Sequence, residues 1–100
     1  MKMALNAWMV CGFQGENKIE SILNFVKEMG WDGIELCFGA GELSPETNLE
    51  ELKKIRDNVK SAGLEIPSLA TGFYWDYSLG SPNNEERNKA IEFTKAYIHT

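Results

Sequence analysis

A chain of 100 residues with 43% apolar and 25% charged side chains has the balance of one ordinary globular domain and is too short for two. Its net charge of −5, with 10 lysines and arginines scattered among 15 acids, argues against a nucleic-acid partner gripped through its phosphates. No stretch approaches the roughly 18–20 apolar residues of a membrane span. The two cysteines, Cys11 and Cys37, are too few for a disulfide framework or a zinc site, so a cytoplasmic protein without a Cys11–Cys37 disulfide is expected.

In chain order, the apolar run Met3–Phe13 is interrupted by Asn6 and Gly12 and is followed by no cleavage site, so it reads as a strand over about 3–8 rather than as a signal segment. A helix over about 17–29 follows, with Asn17 as N-cap and Glu20 in capping-box spacing. Its apolar face is Ile19, Ile22, Leu23, Val26 and Met29, at the 3.6-residue period. A strand over about 33–38 leads into the loop Gly39–Pro45, which contains Glu42; its Gly39-Ala40-Gly41 lacks the lysine of a phosphate-binding P-loop. The second helix, over about 48–62, opens at Thr47 with Glu50 in the capping-box place and presents Leu49, Leu52, Ile55, Val59 and Ala62. A third strand over about 66–71 precedes the aromatic segment Phe73-Tyr74-Trp75-Asp76-Tyr77. A third helix, over about 82–98, opens near Ser81-Pro82 and carries Ala90, Ile91, Thr94, Tyr97 and Ile98 on one face.

An internal repeat ties these elements together. Val26-Lys27-Glu28-Met29-Gly30-Trp31-Asp32-Gly33-Ile34-Glu35-Leu36 recurs 33 residues later as Val59-Lys60-Ser61-Ala62-Gly63-Leu64-Glu65-Ile66-Pro67-Ser68-Leu69. In both copies a helix ends at a glycine, a large apolar residue folds back on the last turn, and an apolar strand follows. That is the joint of a parallel βαβ unit, and the order βαβαβα with about 30 residues per unit predicts an α/β fold with a parallel sheet.

Strand alternation assigns the faces. Leu36 and Leu69 correspond in the repeat, Leu5 or Ala7 takes their place in the first strand, and with Ile34 they are expected beneath the helices. The opposite face then carries Asn6, Glu35 and Ser68 in one layer and Trp8, Cys37 and Ala70 in the next. A carboxylate there requires a polar, solvated or paired setting. Glu35 is a candidate for substrate binding or proton transfer, or a structurally hydrogen-bonded carboxylate. Asn6 and Trp8 are candidates for lining a pocket, with core filling the other reading of Trp8. Tyr74 and Trp75 are candidates for a platform under the apolar face of a sugar, with Asp76 accepting from hydroxyls; their other reading is packing of the loop.

The stretches Ala4-Leu5-Asn6-Ala7-Trp8, Gly33-Ile34-Glu35-Leu36-Cys37-Phe38 and Leu64-Glu65-Ile66-Pro67-Ser68-Leu69-Ala70-Thr71-Gly72 resemble the opening strands of the xylose isomerase-like barrel family, and the likeness runs through essentially all 100 residues. The resemblance implies a single domain that is the N-terminal part of an incomplete (β/α)8 TIM barrel, ending at Thr100 before the barrel closes. It implies a metal-dependent sugar or sugar-phosphate isomerase or epimerase whose catalytic residues are not identifiable here. The family's divalent metal is held mainly by later strands; where its endonuclease branch has a histidine, this chain has Thr71-Gly72, and the sole histidine, His99, is next to the C-terminus. No metal is therefore expected on this chain, and no turnover. The implied ligand is a carbohydrate-type small molecule once the barrel is completed; the alternative is a small non-enzymatic binding or self-association module. Three strands leave two sheet edges and one face open, so a homo-oligomer through the open edges or the uncovered inner face is expected.

Overall fold

The fold was described from a computed structural model covering residues 1–11, 18–39 and 41–100, with Cys11 described by its backbone alone. Gly12, Phe13, Gln14, Asn17 and Ala40, to which the sequence assigned loop and cap roles, lie outside the described residues. The elements are β1 (Ala4–Asn6), α1 (Trp8–Cys11), α2 (Ile19–Glu28), β2 (Gly33–Cys37), α3 (Leu49–Ser61), β3 (Leu69–Ala70), a 3-10 turn (Phe73–Trp75) and α4 (Asn84–His99). The strands form one sheet in the order β1-β2-β3, and both pairings are parallel. The α/β class and the parallel strand order expected from the repeat are thus present.

Both repeat joints have the predicted chemistry. Gly30 and Gly63 stand at φ +89° and +78°, one residue beyond the helix caps Met29 and Ala62. At the second joint Gly63 N–H donates to the Lys60 carbonyl (2.9 Å) and Leu64 N–H to the Val59 carbonyl (3.2 Å), the paired bonds of a Schellman stop. Lys27 Nζ reaches the Gly63 carbonyl at 3.1 Å, so the ends of α2 and α3 are joined side by side.

The core lies on the helix-facing side of the sheet. Ile34 and Leu36 from β2, Val26 from α2, Val59 from α3 and Leu64 are each at most 4% exposed. Ala7, Ile19, Ile22, Leu23, Phe38, Leu43 and Phe93 belong to the same cluster. Burial of these apolar side chains supplies the main driving force for assembling the units.

Several boundaries differ from the sequence reading. The first strand was expected over 3–8 but ends at Asn6, because the Asn6 Oδ1 accepts the Trp8 N–H at 2.8 Å and caps a short helix. Trp8 is therefore helical. The capping box of α3 is Asn48–Glu51, one residue beyond Thr47–Glu50: Asn48 Oδ1 accepts Glu51 N–H (2.9 Å) and Asn48 N–H donates to Glu51 Oε2 (3.0 Å). Thr47 Oγ1 is occupied elsewhere, donating to the Glu42 carbonyl at 2.9 Å. The last helix starts at Asn84 rather than 82, since Asn83 Oδ1 captures the Glu86 N–H at 3.1 Å. Its buried face is centred on Ala90 and Phe93, while Ile91 and Ile98 are 39% and 74% exposed. Met29 and Leu49, placed on apolar faces by periodicity, are also exposed.

The third strand departs furthest from the expected 66–71. Its ladder is confined to Leu69–Ala70, with an isolated bridge at Gly33–Glu65. Pro67 lacks an N–H and breaks the ladder. Between the bridge and the Leu36–Leu69 pair, Ile34 and Glu35 on β2 face Ile66, Pro67 and Ser68 on the other strand, an excess of one residue. This bulge brings Ser68 opposite Glu35.

At the outer edge of β3 the Tyr97 hydroxyl donates to the Leu69 carbonyl. Ala70, one residue on, turns its carbonyl to β2 and accepts the Phe38 N–H at 2.8 Å. Burial holds the Tyr97 pKa above the ordinary tyrosine value, helped by Tyr74, Glu35 and Cys37 nearby. The folded state thus favours the neutral phenol, and its contribution to stability is complete below a pH of about 10. It is lost as pH rises from there through the raised value. Thermal melts over that alkaline window should show a loss of stability that Tyr97→Phe reduces.

Candidate functional site

The face of the sheet opposite the core gathers the polar side chains that alternation had placed there. Register pairs Asn6 with Glu35 across β1 and β2. Asn6 Nδ2 donates to Glu35 Oε1 at 2.6 Å, and Ser68 Oγ donates to Glu35 Oε2 at 2.7 Å. The carboxylate on the central strand is held between an amide on one neighbour and a hydroxyl on the other. Each oxygen keeps acceptor capacity beyond its one bond within the layer. Asn6 Oδ1 serves two further donors, the Trp8 N–H and the Cys37 thiol, the latter at 3.6 Å. One asparagine therefore caps α1 and orients Glu35.

Above this layer, Trp8 and Trp75 meet with ring centroids 5.9 Å apart and planes inclined by 40°. Gly72 makes room for them: a Cβ there would lie 3.3 Å from the Trp75 ring and 3.7 Å from that of Trp8. Trp75 is 77% exposed and Trp8 half-buried, so the pair offers an aromatic surface next to the polar layer. Tyr74 does not join them. Its hydroxyl shares a 2.5 Å hydrogen bond with Thr94 Oγ1, and its ring stands perpendicular to Phe93 at 5.8 Å. Asp76 is exposed at the end of the same turn.

Of the sequence-assigned candidates, Asn6, Glu35, Trp8 and Trp75 are linked by contact or through one another, and Tyr74 packs on α4. Ser68 belongs with the first group; its place in the alternating layer was its signal. Gly72 was missed, and nothing in its local sequence distinguishes its role. The glycine-rich loop after β2 serves a structural bond: Glu42 Oε2 accepts the Ile19 N–H at 2.8 Å and fills the N-terminus of α2 with a carboxylate of the chain itself.

Among the described residues, no group of three or more His, Cys, Asp or Glu side chains converges. The layer offers one carboxylate, whose oxygens are bonded to Asn6 and Ser68. These residues do not by themselves form a donor set for a divalent metal. No helix among them is long and apolar enough to cross a membrane.

Parallel βαβ units with a polar layer on the face away from the core are the arrangement of a segment of a β/α-barrel. The family model for the xylose isomerase-like TIM barrel matches residues 23–100, and the chain belongs to that family. Comparison with curated proteins and with solved structures gives no match.

Proposed function

We propose that the Asn6–Glu35–Ser68 layer and the Trp8–Trp75 pair form one wall of a carbohydrate-type small-molecule site in an isomerase- or epimerase-like barrel. The observation that carries this reading is the carboxylate fixed on both sides by neighbouring strands and linked through Asn6 to the pair formed by half-buried Trp8 and exposed Trp75. A carboxylate oriented in this way accepts hydroxyl hydrogens, and an aromatic face covers the apolar side of a sugar ring. Catalysis requires groups beyond this wall, so the chain alone binds without turning substrate over. Family membership supports the substrate class.

The test is titration of the chain with a panel of aldoses, ketoses and their phosphate monoesters, read by tryptophan fluorescence and calorimetry. Saturable binding that weakens about tenfold or more in Glu35→Gln, the scale of losing one charge-assisted hydrogen bond, is expected. A panel that leaves both signals flat, or binding indifferent to Glu35→Gln, overturns the reading.

A further inference from the structure

Gly72 holds a conformation that does not call for glycine. Its φ is −100° and its ψ 3°, a region that other residues enter at the third position of a type I turn. Alanine there would also narrow the unfolded ensemble and so favour folding. What a side chain would meet is an indole. Its Cβ would stand 3.3 and 3.4 Å from Cε3 and Cζ3 of Trp75, and 3.7 Å from Cη2 of Trp8. The backbone beneath these rings is anchored. Trp75 N–H donates to the Gly72 carbonyl at 3.1 Å, Phe73 N–H to Thr71 Oγ1 at 3.2 Å, and the Phe73 ring lies on Phe93. The Trp75 ring, by contrast, belongs to a residue that is 77% exposed and can swing outward. The contact joins the segment after β1 to the segment after β3 and draws on neither sheet edge.

We infer that Gly72 is a positioning residue: its missing side chain lets Trp75 lean on Trp8, so that the two indoles act as one oriented platform. A methyl group at position 72 transfers the crowding to the exposed ring, because the anchored turn does not yield. The indole then turns away from Trp8, the pair opens, and the fold is at least as stable as before. Glycine at this position thus favours the site over the stability of the chain. Resting on the carbohydrate reading above, the same geometry makes Gly72 a determinant of affinity. A sugar ring packs best on a surface whose orientation is already set, and a freely turning indole must first be ordered.

Gly72→Ala tests this by circular dichroism, chemical denaturation and sugar titration. Two indoles this close couple their electronic transitions into a couplet of oppositely signed bands, and the coupling changes steeply with their distance and angle. Trp8→Phe identifies that couplet by removing one partner. Trp31→Phe leaves it in place, since Trp31 lies between α2 and β2, at the opposite end of the sheet. In Gly72→Ala the couplet should be largely lost while the denaturation midpoint equals or exceeds the native one. Sugar affinity should fall about fivefold or more, the scale of one aromatic contact. No couplet in the native chain, or one that Gly72→Ala leaves unchanged, overturns the inference. So does a couplet lost together with a lowered midpoint, which marks a glycine needed by the fold. Unchanged affinity with the couplet lost overturns the role in binding. A native chain that binds no sugar overturns the carbohydrate site, and the couplet then decides on Gly72 by itself.

Discussion

Replacing Phe93 by alanine should cost about 3–5 kcal/mol, the range for emptying a buried aromatic position. Phe93 is 5% exposed and joins α4 to the rest of the chain. Its ring lies parallel to Phe73 at 3.8 Å with planes 5° apart, and it contacts Phe38 at 5.3 Å and Tyr74 at 5.8 Å. Stacked and edge-on pairs contribute about 0.5–1.5 kcal/mol each beyond area burial. A domain of this size has about 5–15 kcal/mol in total, so the variant should be partly unfolded at modest denaturant. The loss should reach the candidate site as well, because Phe73 begins the turn that carries Trp75. Denaturant melts followed by tryptophan emission would report both effects. A loss below about 1 kcal/mol would show that the neighbours close the gap.

Gly33→Ala should be destabilising by about 1–3 kcal/mol although it replaces glycine by a better-behaved residue. Restricting the unfolded chain favours alanine by about 0.4–1 kcal/mol. Against that, a Cβ at position 33 would lie 2.8 Å from the Glu65 carbonyl oxygen, and 3.4 Å from Pro67 Cδ. The first neighbour is backbone and cannot rotate away. That carbonyl also accepts the Ile34 N–H at 2.9 Å, so retreat strains the bridge between β2 and the segment leading to β3. Overpacking therefore outweighs the entropic gain. Because Ser68 follows the displaced segment, its 2.7 Å bond to Glu35 should lengthen too. Equilibrium denaturation gives the first effect and ligand titration the second; an equally stable Gly33→Ala would refute the close-approach account.

The sheet was legible because its information is local and periodic. Glycine stops at 30 and 63 fix the helix ends, and the 33-residue offset pairs Leu36 with Leu69, as the register has them, and Glu35 with Ser68, which share a hydrogen bond. Asn6, Glu35 and Ser68 could be placed on one face by counting alone. What escaped depended on contacts distant in sequence, or on rotations that counting cannot follow. Asn6 reads as a strand residue until its side chain is seen to cap the next turn. Tyr74 and Trp75 are adjacent aromatics with equal claims in the sequence. A 3-10 turn rotates successive side chains by about 120°, which sends Tyr74 to Thr94 and Trp75 to Trp8. Tyr97 looked like one more residue on a helix face. Its hydroxyl bond spans 28 positions to Leu69, and no local pattern announces it.

The surplus residue between Glu65 and Leu69 acts as a phase shifter for everything downstream. Had the strand run on from the Gly33–Glu65 bridge without it, Pro67 would stand opposite Glu35, and Ser68 would fall in step with Leu36 on the apolar side. Leu69 would then turn to the polar mouth, and the carboxylate would face a ring with no hydrogen to donate. The parity of one short segment thus decides which side of the sheet is wet, and Glu35 owes its second donor to an interruption of the ladder.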